Sequence, residues 1–278
     1  MPEGHTLHRL ARSLDDAFGG TVPAVTSPQG RFAEGAAQLD GSVLERSWAH
    51  GKLLFVDFAA GRTLYVHLGL IGKWFVLPVE PAGQEPPATG QVRLRLLSET
   101  RVADLRGPMA CQVVDEAEVD RLVLRQGPDP LQPVSDLNDP DAAYRTITRS
   151  GKTVAELLMD QTVLAGVGNI YRCEVLWRHR LHPLRPGKTL KRASWQLIWD
   201  DLVRLMPLGV RTGTIITLDD VLEDTAAALH RGEEPVVPRE FAVYKRTGQP
   251  CLRCGSTVRH KVLAGRNLFW CGNCQRRT

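Results

Sequence analysis

Apolar residues change their spacing twice along this chain. Near the amino terminus Leu7, Leu10, Leu14 and Phe18 recur at three- to four-residue intervals, which is the period of one helix face. Pro2 ahead of them and Gly19-Gly20 behind them predict a helix over residues 2–18. From about 21 to 114 the apolar positions fall into short β-branched or alternating runs: KLLFVDF at 52–58, TLYVHLG at 63–69, GKWFVLPV at 72–79, VRLRLLS at 92–98, RVADL at 101–105 and CQVVD at 111–115. Strands of this length separated by Gly and Pro predict a β-sandwich or barrel. After residue 116 the helical period returns, which predicts helices at 116–125, 140–148, 154–159, 169–178, 194–206 and 219–229 and a second domain starting there. A hairpin closes the chain from about Val243, and PAGQEPPATG at 81–90 reads as a mobile loop, because few of its side chains can enter a core.

Composition limits what such a chain can be. With 278 residues, 43% hydrophobic and 24% charged, it fits two globular domains and excludes disorder, collagen and coiled coil. No apolar run approaches the ~18 to 20 residues of a membrane span, and MPEGHTLHRL has no signal-peptide core. The expectation is a cytoplasmic protein with no membrane partner. Its net charge of +4 hides a division: residues 145–192 carry ten Lys/Arg against three Asp/Glu, and residues 238–278 carry nine against one. Basic segments in an otherwise acidic chain suit a polyanion groove, since Lys and Arg displace counterions from phosphates. Solvated charged faces are the plainer alternative.

Six cysteines divide as four plus two. Cys251, Cys254, Cys271 and Cys274 form two C-x2-C knuckles sixteen residues apart, a spacing that presents four thiolates to one tetrahedral Zn²⁺. Four thiolates leave no open coordination position, so the metal would be structural. Two disulfides are the alternative, disfavoured by the lack of a secretory signal. Cys111 and Cys173 stand alone and read as small buried hydrophobes.

Candidate chemistry begins at the amino terminus. Removal of Met1 beside a small residue would leave Pro2 as a secondary amine, and an α-amino group has a reference pKa of about 7.7 to 8.0. Such an amine can attack a sugar C1′ and give an iminium that acidifies the C2′ proton. The competing reading is that Pro2 merely opens a helix. Glu3 beside it can protonate the sugar ring oxygen as a general acid, or simply favour the helix dipole. Lys52, in the turn-like HGKL, suits a phosphate near the reacting sugar, against the plainer reading of a surface lysine. Residues 157–177, LLMDQTVLAGVGNIYRCEVLW, place Gly166 and Gly168 at a corner between two helices, with Asn169 directed outward at the new helix start. That arrangement makes a phosphate cradle, or a packing corner. Arg266, in AGRNLFWC at 264–271, would be held by zinc at a hairpin tip, where a planar cation grips a phosphate well.

Taken in order, PEG at 2–4, HGK at 50–52, DQTVLAGVGNIYRCE at 160–174, VYKRTGQPCLRCG at 243–255 and GRNLFWCGNCQ at 265–275 make the chain resemble the formamidopyrimidine-DNA glycosylase and endonuclease VIII family essentially end to end. The resemblance implies an α+β fold: an N-terminal helix with a β-sandwich over 1–116, a helix-two-turn-helix domain over 117–237 and a four-Cys zinc finger over 238–278. It implies Pro2 as Schiff-base nucleophile, Glu3 as general acid/base, Lys52 as a catalytic and phosphate-contacting lysine, and Asn169 and Arg266 as phosphate clamps at the site. Cys251, Cys254, Cys271 and Cys274 would hold one structural zinc. Damaged DNA would lie bent between the domains with its lesion turned out. Leu70, in HLGLIGKW, would wedge into the vacated space, with a core strand leucine as the alternative. A bacterial-type monomer working at the nucleoid is implied as well.

Within the family PEGH is nearer the PEGP opening of the endonuclease VIII branch than the PELPE of the oxidised-purine branch, and LLMDQ with EVLW agrees. His5 departs by replacing the usual Pro, and ADLRGPMA at 103–110 lacks the Arg-Phe pair of the purine branch. The expected activity is removal of oxidised pyrimidines followed by β,δ-elimination. An oxidised-purine glycosylase and a non-catalytic binder of damaged DNA are the competing readings.

Overall fold

The structure is a computed structural model that describes residues 2–79 and 85–276. Positions 81–84 of the segment expected to be a mobile loop lie outside the described residues. The chain divides between Arg125 and Gln126 into two compact units.

In the first unit the apolar stripe read from the sequence becomes α1 (Gly4–Phe18), which buries Leu7, Leu10, Leu14 and Phe18. Each such side chain contributes about 1.5–3 kcal/mol relative to exposure, and together they fix the helix that carries Pro2 and Glu3 at its start. Eight strands follow: β1 (Ala24–Thr26), β2 (Leu44–His50), β3 (Leu53–Phe58), β4 (Arg62–His67), β5 (Lys73–Pro78), β6 (Val92–Leu97), β7 (Arg101–Arg106) and β8 (Ala110–Val114). They form two antiparallel four-stranded sheets, ordered β1-β6-β7-β5 and β2-β3-β4-β8. Leu54, Val56, Leu64 and Val66 of one sheet share a core with Leu94, Leu96, Ala103 and Leu105 of the other, so the architecture is a sandwich. Helix α1 packs on β2 and β3 of one sheet and on β5 and β7 of the other.

Three elements here carry no clear sequence signal. Strand β1 is three residues long. The helix α2 (Ala33–Leu39) offers only Ala36 and Leu39 as apolar core contacts, and a register shift between Leu44 and Arg46 interrupts the alternation of β2. The expected domain boundary after residue 116 also moves. Helix α3 (Glu116–Leu124), capped by Asp115 accepting from the Glu118 N–H at 2.8 Å, packs Val119 against Leu53, Phe55 and Tyr65 of the first unit. Periodicity registers the switch from strand to helix but not which core the helix joins.

The second unit contains α4 (Pro140–Thr148), α5 (Val154–Leu157), α6 (Asn169–Arg178), α7 (Arg192–Thr212) and α8 (Asp219–His230), followed by the hairpin β9 (Val258–Leu263) and β10 (Arg266–Cys271). Helix α5 stops at Leu157, two residues short of the expected end. Helix α7 continues through Pro207, where the sequence predicted a stop at Met206. An internal Pro forfeits one ladder bond, but Val210 in the following turn is buried, and the helix ends only at Gly213, whose φ is 75°. The finger has no separate core: Val258, Leu268, Phe269 and Trp270 join the cluster built by Tyr171, Trp195 and Leu202.

A buried carboxylate ties this unit to the finger. Glu174 accepts from the Thr217 hydroxyl at 2.8 Å and from the backbone N–H groups of Ala242, Val243 and Tyr244 at 2.8, 2.9 and 2.9 Å. Glu174→Ala leaves these donors buried without an acceptor, at about 1–3 kcal/mol for each one unsatisfied. A loss of at least about 3 kcal/mol in the denaturant stability of this unit is expected, and a change below about 1 kcal/mol contradicts the clamp.

Candidate active site and nucleic-acid interface

Glu3 is the N-cap of α1, with extended backbone at φ −117° and ψ 174°. Its carbonyl accepts from the Thr6 N–H at 2.8 Å, while its side chain makes no capping bond. The carboxyl is completely buried, so it is not the solvated dipole partner that first-turn acids usually are. Pro2, half-buried, precedes it directly. His5, the residue that departs from the family opening, is buried in the first turn of α1. Its pKa is lowered to about 3 by burial, and further by the charges of His8, Arg9 and the amino terminus. The ring is therefore neutral at physiological pH.

Lys52 sits in the two-residue turn joining β2 to β3, between the paired residues His50 and Leu53. Gly51 precedes it with φ 56°, the left-handed conformation that the first central residue of a type II′ turn requires. The turn brings the Lys52 ammonium near His67 at the end of β4. Burial, and after it the Lys52 charge, lower the His67 pKa. His67 Nδ1 accepts from the Gly69 N–H at 3.0 Å, which assigns the ring hydrogen to Nε2 as a donor. No pattern in the sequence singled out His67.

Leu70 lies in the β4–β5 turn and is 53% exposed, so it is not a core strand leucine. Its neighbour Ile71 is 79% exposed, and Met109, in the β7–β8 turn, is 71% exposed. The two turns interlock. A Cβ on Gly69, which has φ 67°, would meet the Met109 Cβ at 3.0 Å, and one on Gly107 would lie 4.0 Å from Ile71. Three large apolar side chains thus project from adjoining turns. Ile71 and Met109 were not candidates from sequence, because only folding brings 69–71 to 107–109.

In the second unit, α5 and α6 flank a corner braced by Gln161. Its Nε2 donates to the carbonyls of Met159 and Val167 at 3.0 and 2.9 Å, and its Oε1 accepts from the Gly166 N–H at 3.0 Å. Gly166 has φ 82°. Asn169 opens α6, but its amide is buried and not directed outward as expected. Nδ2 donates to the Asn267 carbonyl at 2.8 Å, and Oδ1 accepts from the buried Arg172 guanidinium. A guanidinium only donates, so the amide orientation is fixed. Arg266, adjacent to Asn267, begins β10 immediately after the Ala264-Gly265 turn, whose φ values are 47° and 70°. Its Nη1 donates only to the Gly265 carbonyl, at 3.2 Å, and its Nε is buried without a partner among the described residues. The fold therefore brings Asn169 and Arg266 together through one backbone carbonyl.

The four finger sulfurs lie within 4.8 Å of one another, with Cys251–Cys274 at 3.9 Å and Cys254–Cys271 at 3.5 Å. A tetrahedron of Zn–S bonds of about 2.3 Å has Sγ–Sγ edges of about 3.8 Å, so the donor set fits zinc. The Trp177 indole N–H donates to Cys251 Sγ at 3.3 Å, the kind of support that orients a ligand. Among the described residues no helix is long and apolar enough to cross a membrane.

Comparison with known proteins agrees with this geometry. Residues 1–111 match the formamidopyrimidine-DNA glycosylase N-terminal domain, 126–220 the formamidopyrimidine-DNA glycosylase H2TH domain, and 248–277 a zinc finger found in FPG and IleRS. Endonuclease 8 1 of Mycobacterium tuberculosis is 46% identical over 275 residues, covering 99% of this chain and 100% of the relative. Endonuclease 8 of Klebsiella pneumoniae is 30% identical over 280 residues, with 99% and 100% covered. The fold is that of Lactococcus lactis Fpg in complex with DNA containing an abasic site, with a TM-score of 0.78 at 22% identity over 99% of this chain and 100% of that one.

Proposed function

Because the chain belongs to the formamidopyrimidine-DNA glycosylase and endonuclease VIII family, we propose that it is a bifunctional DNA glycosylase and abasic-site lyase of base excision repair, acting on oxidised pyrimidines. The observation that carries this reading is the start of α1, where a proline directly precedes a fully buried carboxyl that does not cap the helix. With Met1 removed, the Pro2 nitrogen attacks C1′ of the damaged nucleotide, the glycosidic electron pair departs with the base, and the Pro2 nitrogen loses its proton to solvent. Glu3 protonates O4′ as the C1′–O4′ bond opens, giving an iminium between Pro2 and C1′. Loss of the C2′ proton then expels the 3′ phosphate, and a second elimination expels the 5′ phosphate.

Grip on the strand falls to other residues. Lys52 holds a phosphate in the first unit, with the His67 Nε2–H beside it. Asn169 and Arg266 hold phosphates in the second, and Leu70, Ile71 and Met109 fill the space left by the turned-out nucleotide. Cys251, Cys254, Cys271 and Cys274 bind one structural zinc that fixes the hairpin bearing Arg266. Arg266→Ala is expected to weaken binding to a duplex with an abasic-site analogue by roughly 1–3 kcal/mol, the range of a charge-assisted contact. Unchanged affinity at moderate salt removes Arg266 from the clamp.

The pyrimidine preference rests on the PEGH opening, the missing Arg-Phe pair and the likeness to the proteins named Endonuclease 8. It is tested by single-turnover excision on matched duplexes. Faster release of thymine glycol or 5-hydroxyuracil than of 8-oxoguanine opposite cytosine is expected, and the reverse order contradicts it.

A further inference from the structure

Helix α6 and strand β10 lie side by side and run in the same direction. Where both begin, the Asn169 amide bonds the Asn267 carbonyl, with Arg266 beside it. Where both end, the Trp177 indole bonds Cys251 Sγ, and the Arg253 guanidinium lies 4.1 Å from the centre of the Trp177 ring. The ten residues of α6 rise about 15 Å, and the hairpin register from the Arg266–Leu263 pair to the Cys271–Val258 pair spans about 17 Å. The knuckle end of the finger therefore lies a helix length away from the residues proposed to hold phosphate.

A cleft of about 510 Å³ opens at this end, lined by Arg180, Arg253, Cys254, Asn273, Cys274 and Arg276. Its lining has no carboxylate, and none of the three arginines forms an ion pair among the described residues. All three are exposed, yet two are held in place. Arg253 donates to the Trp177 and Arg178 carbonyls at 3.1 and 3.4 Å, which caps the end of α6. Arg276 donates from Nε to the Asn273 carbonyl at 3.2 Å and from Nη2 to Asn273 Oδ1 at 3.1 Å. A guanidinium carries five N–H donors, so these bonds fix the two forks without exhausting them. One Zn²⁺ with four thiolates has a charge of about −2, which three guanidiniums more than balance.

We propose that this cleft docks an acidic peptide segment of a partner protein, with its Asp or Glu carboxylates on Arg180, Arg253 and Arg276. The planar guanidinium fork matches a carboxylate bidentately, and a cleft of this size takes a few side chains and not a folded domain. Nucleic acid fits less well. Single strands are held by stacking on open aromatic faces, whereas the Trp177 ring is buried beneath Arg253. A duplex gripped by Asn169 and Arg266 lies at the other end of α6 and the hairpin. The inference goes beyond the proposed activity and does not depend on it.

Fluorescence anisotropy of a labelled hexa-aspartate peptide, with the zinc-loaded full-length chain at about 0.1 M salt, tests the site; charges farther apart than about 10 Å are largely screened there. Saturable binding is expected, and it should persist when the chain is saturated with a duplex carrying an abasic-site analogue. Arg180→Glu combined with Arg276→Glu is expected to weaken peptide binding more than about tenfold, while duplex affinity stays within about twofold. Arg180→Glu alone, which disturbs no bond to the finger, is expected to cost about threefold and serves if the double variant melts early. No saturable binding to the unaltered chain overturns the docking site, and so does unchanged peptide affinity in the variants. Displacement of the peptide by the duplex, or a parallel loss of duplex affinity in the variants, also overturns it and assigns the arginines to the DNA footprint.

Discussion

Glu3→Gln is expected to slow base excision by about 10²–10⁴-fold, the usual contribution of a positioned general acid, while cleavage of a preformed abasic site falls much less. The asymmetry follows from where the proton is needed. Displacement of the base by Pro2 is reversible until the sugar ring opens, and O4′ gains a proton as it does. A preformed abasic site has already lost its base and exists partly as the open aldehyde, so Pro2 can condense with it without that help. Glutamine is close in size to glutamate and can occupy the same buried N-cap position, which keeps α1 and Pro2 in place. Excision of thymine glycol and cleavage of an abasic duplex, measured under single turnover, separate the two steps. Equal loss in both contradicts a role for Glu3 centred on base removal.

The second large effect is expected from the finger. Structural zinc sites of this donor class contribute on the order of 10 kcal/mol to folding at neutral pH, and this hairpin shares its core with the helical unit through Leu268, Phe269 and Trp270. Chelation, or Cys271→Ser, should therefore release Arg266 together with the Asn267 carbonyl that braces Asn169, removing both proposed phosphate contacts at once. The first unit has its own core, made by α1 and the two sheets, and should stay folded. A calorimetric melt is expected to lose or shift the transition of the second unit while keeping that of the first, together with loss of affinity for abasic-site DNA. An unchanged melt with full binding after complete zinc removal contradicts a structural metal.

Legibility from sequence followed physical periodicity. Helix α1, the strands β3 to β8 and the bounds of α6 were readable because a buried face imposes a regular apolar spacing. The four cysteines were readable because knuckle geometry fixes their intervals. Where local chemistry interrupts the period, the signal fails. The register shift in β2 breaks its alternation, α2 has too little apolar surface, and Pro207 reads as a stop although burial of the following turn carries α7 past it. Features made by non-local approach left no trace either. The exposed cluster of Leu70, Ile71 and Met109, the neighbourhood of Lys52 and His67 and the inward turn of the Asn169 amide all depend on contacts between distant segments. Pro2 and Glu3 were candidates from the Pro-Glu order and the family resemblance, while the burial of Glu3 and its lack of a side-chain capping bond are visible only in the fold.

Pro2 is proposed as the nucleophile of a glycosylase acting on oxidised pyrimidines. Borohydride trapping on a duplex carrying one thymine glycol, followed by mass mapping of the cross-linked peptide, tests it most directly. A covalent adduct at Pro2 that disappears when Met1 is retained is expected. An adduct mapped to a lysine, or no adduct on either this duplex or a preformed abasic site, would contradict it.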